Sequence, residues 1–453
     1  MATARVVTDI GYGDAGKGSL VDHLAAHHGC QLVVRVHGGA QAGHNVVTPD
    51  GREHTFSQFG AASFQPGRQT LHAAGMIVAP LALHGEAEHL RSLGVADPLA
   101  TLRIDGRCRV TTPLHQAANR LRETARGAGR HGSCGIGFGE TVRDGLLCGP
   151  DALLAADLRD AVTVRRKLSG LRDRLAVDVQ AETGPVDPDA DRDAWVLLRA
   201  SLDDIADRLC GAVATVPILS WAEVRELVLA CTELVIEGAQ GVLLDEWAGF
   251  HPHTTWSTCT TASANDFLWD VGWRDPVVRL AVVRTYMMRH GAGPMPGEDR
   301  GLNLRLPERH NSAHPWQGGV RKAPLDLVAL HYAIDACGDL DALCVTHLDH
   351  AANLPQQPWT VAWRSEIDDD WIKRGDCDYA YRLARPTPSD LDRQARLTRL
   401  AFGATAVAGG PSPPTAERSA QQAFAAKMAH ALGLPLAWCA AGPTRADWWA
   451  PTP

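Results

Sequence analysis

Short apolar runs alternate along the chain with glycine-rich turns and amphipathic stretches. Ala4-Arg5-Val6-Val7-Thr8-Asp9-Ile10, Leu32-Val33-Val34-Arg35-Val36, Leu234-Val235-Ile236, Leu280-Ala281-Val282-Val283 and Ala342-Leu343-Cys344-Val345 are aliphatic and largely β-branched. Near-continuous apolar runs of this length predict strands buried on both faces, as in a parallel sheet. Helical periodicity starts at Leu20 and recurs over residues 195–209, 325–336 and 416–432. The alternation predicts an α/β fold with a mostly parallel central sheet and helices on both faces. Residues 409–414, rich in Gly and Pro, predict a loop before the last helix, and the tail 448–453 predicts irregular structure. No repeat or low-complexity linker divides the sequence, so residues 1–453 read as one domain with elaborations.

In open sheets of this kind ligands bind beyond the C-terminal strand ends, and the glycines gather there. Gly11-Tyr12-Gly13-Asp14-Ala15-Gly16-Lys17-Gly18-Ser19 lies between a strand and a helix. Unpaired N–H groups at a helix start attract anions, and glycines let the backbone approach phosphate oxygens, so this turn predicts a P-loop-like phosphate cradle with Lys17 as a movable charge. Gly18 stands where a P-loop has its Mg²⁺-binding hydroxyl, which leaves Asp14 as the candidate metal ligand. The alternative for Asp14 is a helix cap. A second cluster, Arg35-Val36-His37-Gly38-Gly39-Ala40-Gln41-Ala42-Gly43-His44-Asn45, suits a backbone folded around a ligand, with His44 either catalytic or a loop histidine. Ile236-Glu237-Gly238-Ala239-Gln240-Gly241 repeats the strand-then-glycine design, and His251-Pro252-His253-Thr254-Thr255 follows it. Glu237 is assigned no chemistry, and the Met287-Met288 pair is read as core. Arg289-His290-Gly291-Ala292-Gly293-Pro294 and Val345-Thr346-His347-Leu348-Asp349 complete the set.

Composition narrows the partners. A net charge of −8 argues against a surface for nucleic-acid backbone, so phosphate binding is expected to be local. Eleven cysteines without paired CxxC spacing fit a reducing cytoplasm, and no apolar stretch approaches the roughly 18 residues of a membrane span. Twenty histidines never fall at zinc-ligand spacing.

Taken in order from residue 5 to about residue 445, the segments GDAGKG, QAGHN, EGAQGVLLD and RHGAGPMPGE resemble the adenylosuccinate synthetase family, ligases that use GTP to join IMP and aspartate. The resemblance implies that Asp14 takes a proton from the purine ring while the 6-oxygen attacks the γ-phosphate. It implies that His44 stabilises the developing charge, that Lys17 neutralises the transferring phosphate, and that Asp14 and the Gly43 carbonyl hold Mg²⁺. GTP contacts are implied for Gly13, Ala15, Gly16, Lys17 and Gly18. At the guanine end they are implied for Asp349, for His347 in place of the family's lysine, and for Gly442 in a closing loop. On the substrate-nucleotide side the matching positions are Gln41, Cys134, Gln240 and Thr255. Arg143 corresponds to the arginine lent to a neighbouring subunit, which implies a homodimer.

The amino-acid site departs most from the family. In His310-Asn311-Ser312-Ala313-His314-Pro315-Trp316-Gln317-Gly318-Gly319-Val320-Arg321-Lys322, only Arg321 and Lys322 remain as cations near the expected clamp, and Trp316 is either packing or a new pocket wall. Each charged hydrogen bond lost to a dicarboxylate costs about 1.5–3 kcal/mol, which points away from aspartate. The implied function is a GTP-dependent carbon–nitrogen ligase acting on the 6-oxo group of a purine-type nucleotide, IMP in the simplest form. The alternatives are a paralogue using another amine or acceptor, and a non-catalytic nucleotide-binding regulator.

Overall fold

A computed structural model describes residues 2–452 apart from 307, 309–315, 366–371 and 375–378. Ten strands form one sheet in the order Trp448–Trp449, Leu436–Ala440, Ala342–Thr346, Val277–Arg284, Thr3–Asp9, Glu233–Glu237, Leu32–Arg35, Gln69–His72, Leu102–Asp105, Ile218–Leu219. Every pairing is parallel except that of the last strand of the chain, Trp448–Trp449, with Leu436–Ala440. A second sheet contains Tyr286–His290 and Val320–Asp326 side by side and antiparallel, and His44–Val47 pairs with Glu53–Phe56 as a separate ribbon.

Successive strand residues serve opposite faces, which is why the central runs are apolar throughout. Val7, Val33 and Val235 pack with Leu20, Val21 and Leu24 of the helix Lys17–His28. Their neighbours Val6, Val34 and Ile236 pack on the other face with Val224 and Val228 of Trp221–Leu229 and with Phe267 and Leu268 of Ala262–Val271. A third core joins Ala281 and Val283 to the helices Leu327–Cys337 and Arg418–Leu432, and Met287 and Met288 are buried in it, as the sequence predicts.

Several boundaries differ from the sequence reading. The stretch 195–209 is two helices, Arg192–Arg199 and Leu202–Ala212, because the Ser201 hydroxyl accepts from the Asp204 N–H and starts a new helix after Ala200 turns extended. Leu325 and Asp326 close a strand, and the helix begins at Leu327 because the Asp326 carboxylate caps Val328 and Ala329 N–H. Gly409 ends the strand Thr405–Gly409, and the tail predicted irregular supplies the edge strand Trp448–Trp449. No helix among the described residues is long and apolar enough to cross a membrane.

Asp326 carries a testable charge effect. It is fully buried and accepts from Val328 N, Ala329 N and Trp363 Nε1, yet burial outweighs these bonds and pushes its carboxyl up to about 7 from an ordinary 3.8. A raised folded-state value means that this group's stabilisation is complete below the unfolded value and is lost as pH rises through the folded one. Asp326→Asn keeps an oxygen for the cap without the ionisation. Its melting temperature relative to the unsubstituted protein is therefore expected to rise between pH 5 and pH 8 in parallel thermal melts.

Candidate active site

The loops that follow the parallel strands Thr3–Asp9, Leu32–Arg35, Glu233–Glu237, Ala342–Thr346 and Leu436–Ala440 meet at one end of the sheet and line a single cleft. Asp9, the last residue of the central strand, shapes the glycine turn: its buried carboxylate accepts from Gly11 N at 2.8 Å, Ala15 N at 3.0 Å and Lys17 Nζ at 2.9 Å. Lys17 therefore reaches the cleft already paired. Gly16, left-handed at φ 87°, is the N-cap of the helix Lys17–His28, and no side chain caps it, so Asp14 is not a helix cap. Gly18 answers to a close approach. A Cβ there would lie 2.8 Å from the Asn45 carbonyl oxygen and 3.1 Å from the His44 Cβ, which excludes the usual hydroxyl residue and lets the helix start sit directly against His44.

Asp14 adopts φ 57°, a left-handed conformation, and is held from two sides: His290 Nε2 donates to its Oδ2 at 2.9 Å, and Arg284 Nη1 donates to its backbone carbonyl at 3.2 Å. Burial pushes its carboxyl up. The His290 hydrogen bond and charge, with Lys17 and Arg284 behind, outweigh that and hold it below the ordinary range, so it is ionised at neutral pH. Gln240 at φ 54° and His347 at φ 57° also line the cleft, so three of the four non-glycine residues with positive φ among the described residues face one space. Backbone strain of this kind costs about 1–3 kcal/mol per residue and concentrates where geometry serves a ligand.

His44 lines the same cleft, and its Nδ1 lies 2.5 Å from Glu237 Oε1, while Glu237 Oε2 accepts from Ala61 N at 3.1 Å. Burial pushes the Glu237 carboxyl up, but His44, Arg35 and the hydrogen bonds bring it below its ordinary value. Burial, only partly offset by Glu237, pushes the His44 imidazole down. The resting pair is thus a carboxylate and a neutral ring donating from Nδ1, with an Nε2 that has no protein partner. Glu237, assigned no chemistry from sequence, is corrected here to the residue that orients His44. A charged residue closing a buried strand ahead of a glycine was the available signal, and Asp9, two residues before Gly11, carries a similar one.

The remaining expected residues divide clearly. Gly13, Gly16, Gly18, Gln41, Gly43, Cys134, Arg143, Gln240, Thr255, His347, Asp349 and Gly442 all line the cleft. Both amide atoms of Gln41 and Gln240 are buried without hydrogen-bond partners, as expected of groups that meet a ligand. Arg143 lies on the wall of its own chain's cleft, paired with Glu182 at 3.0 Å and Asp178 at 3.5 Å. Ala15 is buried beneath the turn, its carbonyl accepting from Thr346 Oγ1 at 2.8 Å.

Elsewhere on the cleft wall, burial pushes His347 well down, so that ring is neutral, and Gly442, Pro443 and Trp448 also line the wall, with Trp448 donating to Ser19 Oγ at 2.8 Å. Arg321 is not brought to the cleft wall: its guanidinium is committed to Gly291 O, Gly293 O and Glu298. Lys322 is buried on Leu306 O. Trp316 rests on Gly135 with Arg120 and Arg130 about its ring, so it backs the loop of residues 133–139. The rest of the expected amine segment, 310–315, lies outside the described residues.

Among the described residues no group of three or more His, Cys, Asp or Glu is arranged to hold a metal. Asp14, an ionised carboxylate, and Gly43 line the same cleft, and Mg²⁺ takes only a few hard oxygen ligands of this kind from protein when phosphates supply the rest.

The fold defines an α/β protein whose glycine turns gather in one cleft at the end of a parallel sheet. A family model described as adenylosuccinate synthetase matches residues 6–386. The adenylosuccinate synthetase of Neisseria gonorrhoeae is 32% identical over 356 residues, covering 77% of this chain and 78% of that one. The Alkalilimnicola ehrlichii enzyme is 33% identical over 353, covering 77% of each. The chain belongs to the adenylosuccinate synthetase family, whose members are GTP-dependent ligases that form a carbon–nitrogen bond. The fold is shared with the fully ligated adenylosuccinate synthetase of Plasmodium falciparum, at TM-score 0.76 and 18% identity over 100% of both chains. It is also shared with the succinoaminodeoxyadenylate synthetase of cyanophage S-2L, bound to dGMP and dATP, at TM-score 0.59 and 15% identity over 100% of this chain and 96% of that one.

Proposed function

We propose that this ligase phosphorylates the 6-oxygen of a 6-oxopurine nucleotide, IMP in the simplest case, with GTP, and then replaces the phosphate with an amine. Asp14 accepts the N1 proton as the 6-oxygen attacks the γ-phosphorus. The bond from the β,γ-bridging oxygen breaks, and GDP leaves. His44 meets the γ-phosphoryl through Nε2. An anion at Nε2 together with Glu237 at Nδ1 places the ring between two negative groups, which favours the doubly protonated donor form at the moment charge develops. Lys17 and the turn N–H groups offset the phosphate charge. Mg²⁺, when held by Asp14 and the Gly43 carbonyl, adds further charge neutralisation. The amine nitrogen then attacks C6, and inorganic phosphate departs. The single observation that carries this reading is the convergence of an ionised Asp14 and a carboxylate-backed His44 on one cleft from separate glycine turns.

The amine is read as different from aspartate, because Arg321 and Lys322 already have all-protein partners. Phosphate release and product mass with GTP, IMP and a panel of amines test both statements. No GTP consumption with any oxopurine nucleotide refutes the ligase reading, and adenylosuccinate formed at ordinary rates refutes the altered amine. Asp349 is the proposed reader of guanine N1–H and the 2-amino group. Asp349→Ala is expected to raise KM for GTP by about 10–100-fold, the worth of charge-assisted bonds of roughly 1.5–3 kcal/mol, and to shrink the preference for GTP over ATP in steady-state kinetics.

A further inference from the structure

Asp14 is asked to do two things with one carboxylate in a strained backbone, and nothing within its own turn holds it there. The hold comes from across the cleft. Arg284 ends a strand of the main sheet and donates to the Asp14 carbonyl; its other amino group is fixed by Tyr286 Oη and Glu308 Oε1. His290 ends the next strand, Tyr286–His290, in register with Val320 of the neighbouring strand, and donates to Asp14 Oδ2.

The turn after His290 is braced to an unusual degree. Arg289 donates to Ala292 O at 3.0 Å, Pro294 O at 3.1 Å and His253 O at 2.9 Å, with its guanidinium over the Tyr12 ring. Arg321 donates to Gly291 O at 2.9 Å and Gly293 O at 2.7 Å, and Gly291 N–H bonds Gly319 O at 3.2 Å. Two arginines thus donate to the carbonyls of residues 291–294 as well as to His253 O and Glu298, and the residue directly ahead of this braced turn carries the imidazole on Asp14.

We propose that His290 is a positioning residue for this ligase: its Nε2–H fixes one oxygen of the Asp14 carboxylate and so leaves the other to the acceptor ring. The proposal rests on Asp14 being the proton acceptor. It requires a proton on Nε2, the atom that meets Asp14 Oδ2 at 2.9 Å. It also accounts for the fate of Arg321, which holds the platform of His290.

Crystal structures and kinetics of His290→Val and His290→Gln test it. Val removes the donor, whereas the Gln side-chain amide retains one at similar reach. In His290→Val the Asp14 carboxylate is expected to leave its place or to occupy more than one rotamer. There kcat should fall by about tenfold, the worth of one hydrogen bond, with KM for GTP unchanged. In His290→Gln the carboxylate should stay and most of kcat return. An unmoved Asp14 in His290→Val, or equal kcat in the two variants, overturns the proposal. Absence of turnover in the unsubstituted protein defeats the ligase reading instead, and the position of Asp14 in the two variant structures still decides the role of His290.

Discussion

Asp14→Asn is expected to lower kcat by about 10²–10⁴-fold, the span usual for a positioned general base, while affinity for a non-hydrolysable GTP analogue stays within about threefold. The amide keeps the size of the side chain and one oxygen, but it cannot take the N1 proton. His290 still finds an oxygen acceptor, so the turn should persist, and thermal melts should move little. Because the ordinary carboxyl is held below its usual range by His290, Lys17 and Arg284, the base is ionised across neutral pH, and the loss in the variant should be as large at pH 6 as at pH 8. Single-turnover transfer of the γ-phosphoryl group measures the step directly. Turnover within tenfold of the unsubstituted enzyme would remove Asp14 from the mechanism.

Glu237→Gln should be nearly as damaging although the residue touches no substrate. Its two oxygens both accept, from His44 Nδ1 and from Ala61 N, in a fully buried setting. An amide has one oxygen. If it turns that oxygen to His44, its NH₂ faces the Ala61 N–H; if it turns the other way, the NH₂ faces Nδ1, and the imidazole must adopt the opposite tautomer or rotate. The first arrangement leaves a buried donor unpaired, at about 1–3 kcal/mol, and the second is satisfied only with the His44 proton moved from Nδ1 to Nε2. Loss of the anion also removes the reason for His44 to become a double donor when phosphate arrives. The expected drop in kcat is about 10²–10³-fold, by analogy of role with carboxylate-to-amide changes behind a catalytic histidine, with GTP affinity little altered. A variant with unchanged kcat would reduce His44–Glu237 to a packing contact.

The two effects differ in how far they were readable. Asp14 sits inside a glycine turn whose spacing announces phosphate, so its candidacy needs no neighbours. Glu237 and Asp9 each close an apolar strand ahead of glycines, a pattern present in the sequence but silent about the partner. His290 lies in the glycine segment 289–294 that the sequence singles out, but nothing local names its partner. Arg321 was misplaced for the same reason, since a lone arginine in a weakened clamp segment looks available until the carbonyls of Gly291 and Gly293 are seen to occupy it.

The sequence alone determined the parallel sheet, the glycine turns at its strand ends, and hence the gathering of Asp14, Lys17, His44, Gln240 and Asp349 at one edge. Apolar runs and backbone-permissive residues act over a few positions, and parallel strands put their following loops on the same side. Only the tertiary structure decided which polar groups bond to which. Glu237 reaches His44 over 193 positions and His290 reaches Asp14 over 276, because strand order, not sequence distance, makes them neighbours. Short-range hydrogen bonds between such distant residues depend on ångström-scale placement that periodicity does not encode. The same holds for the bracing of residues 291–294 by Arg289 and Arg321, which commits the Arg321 guanidinium to protein partners.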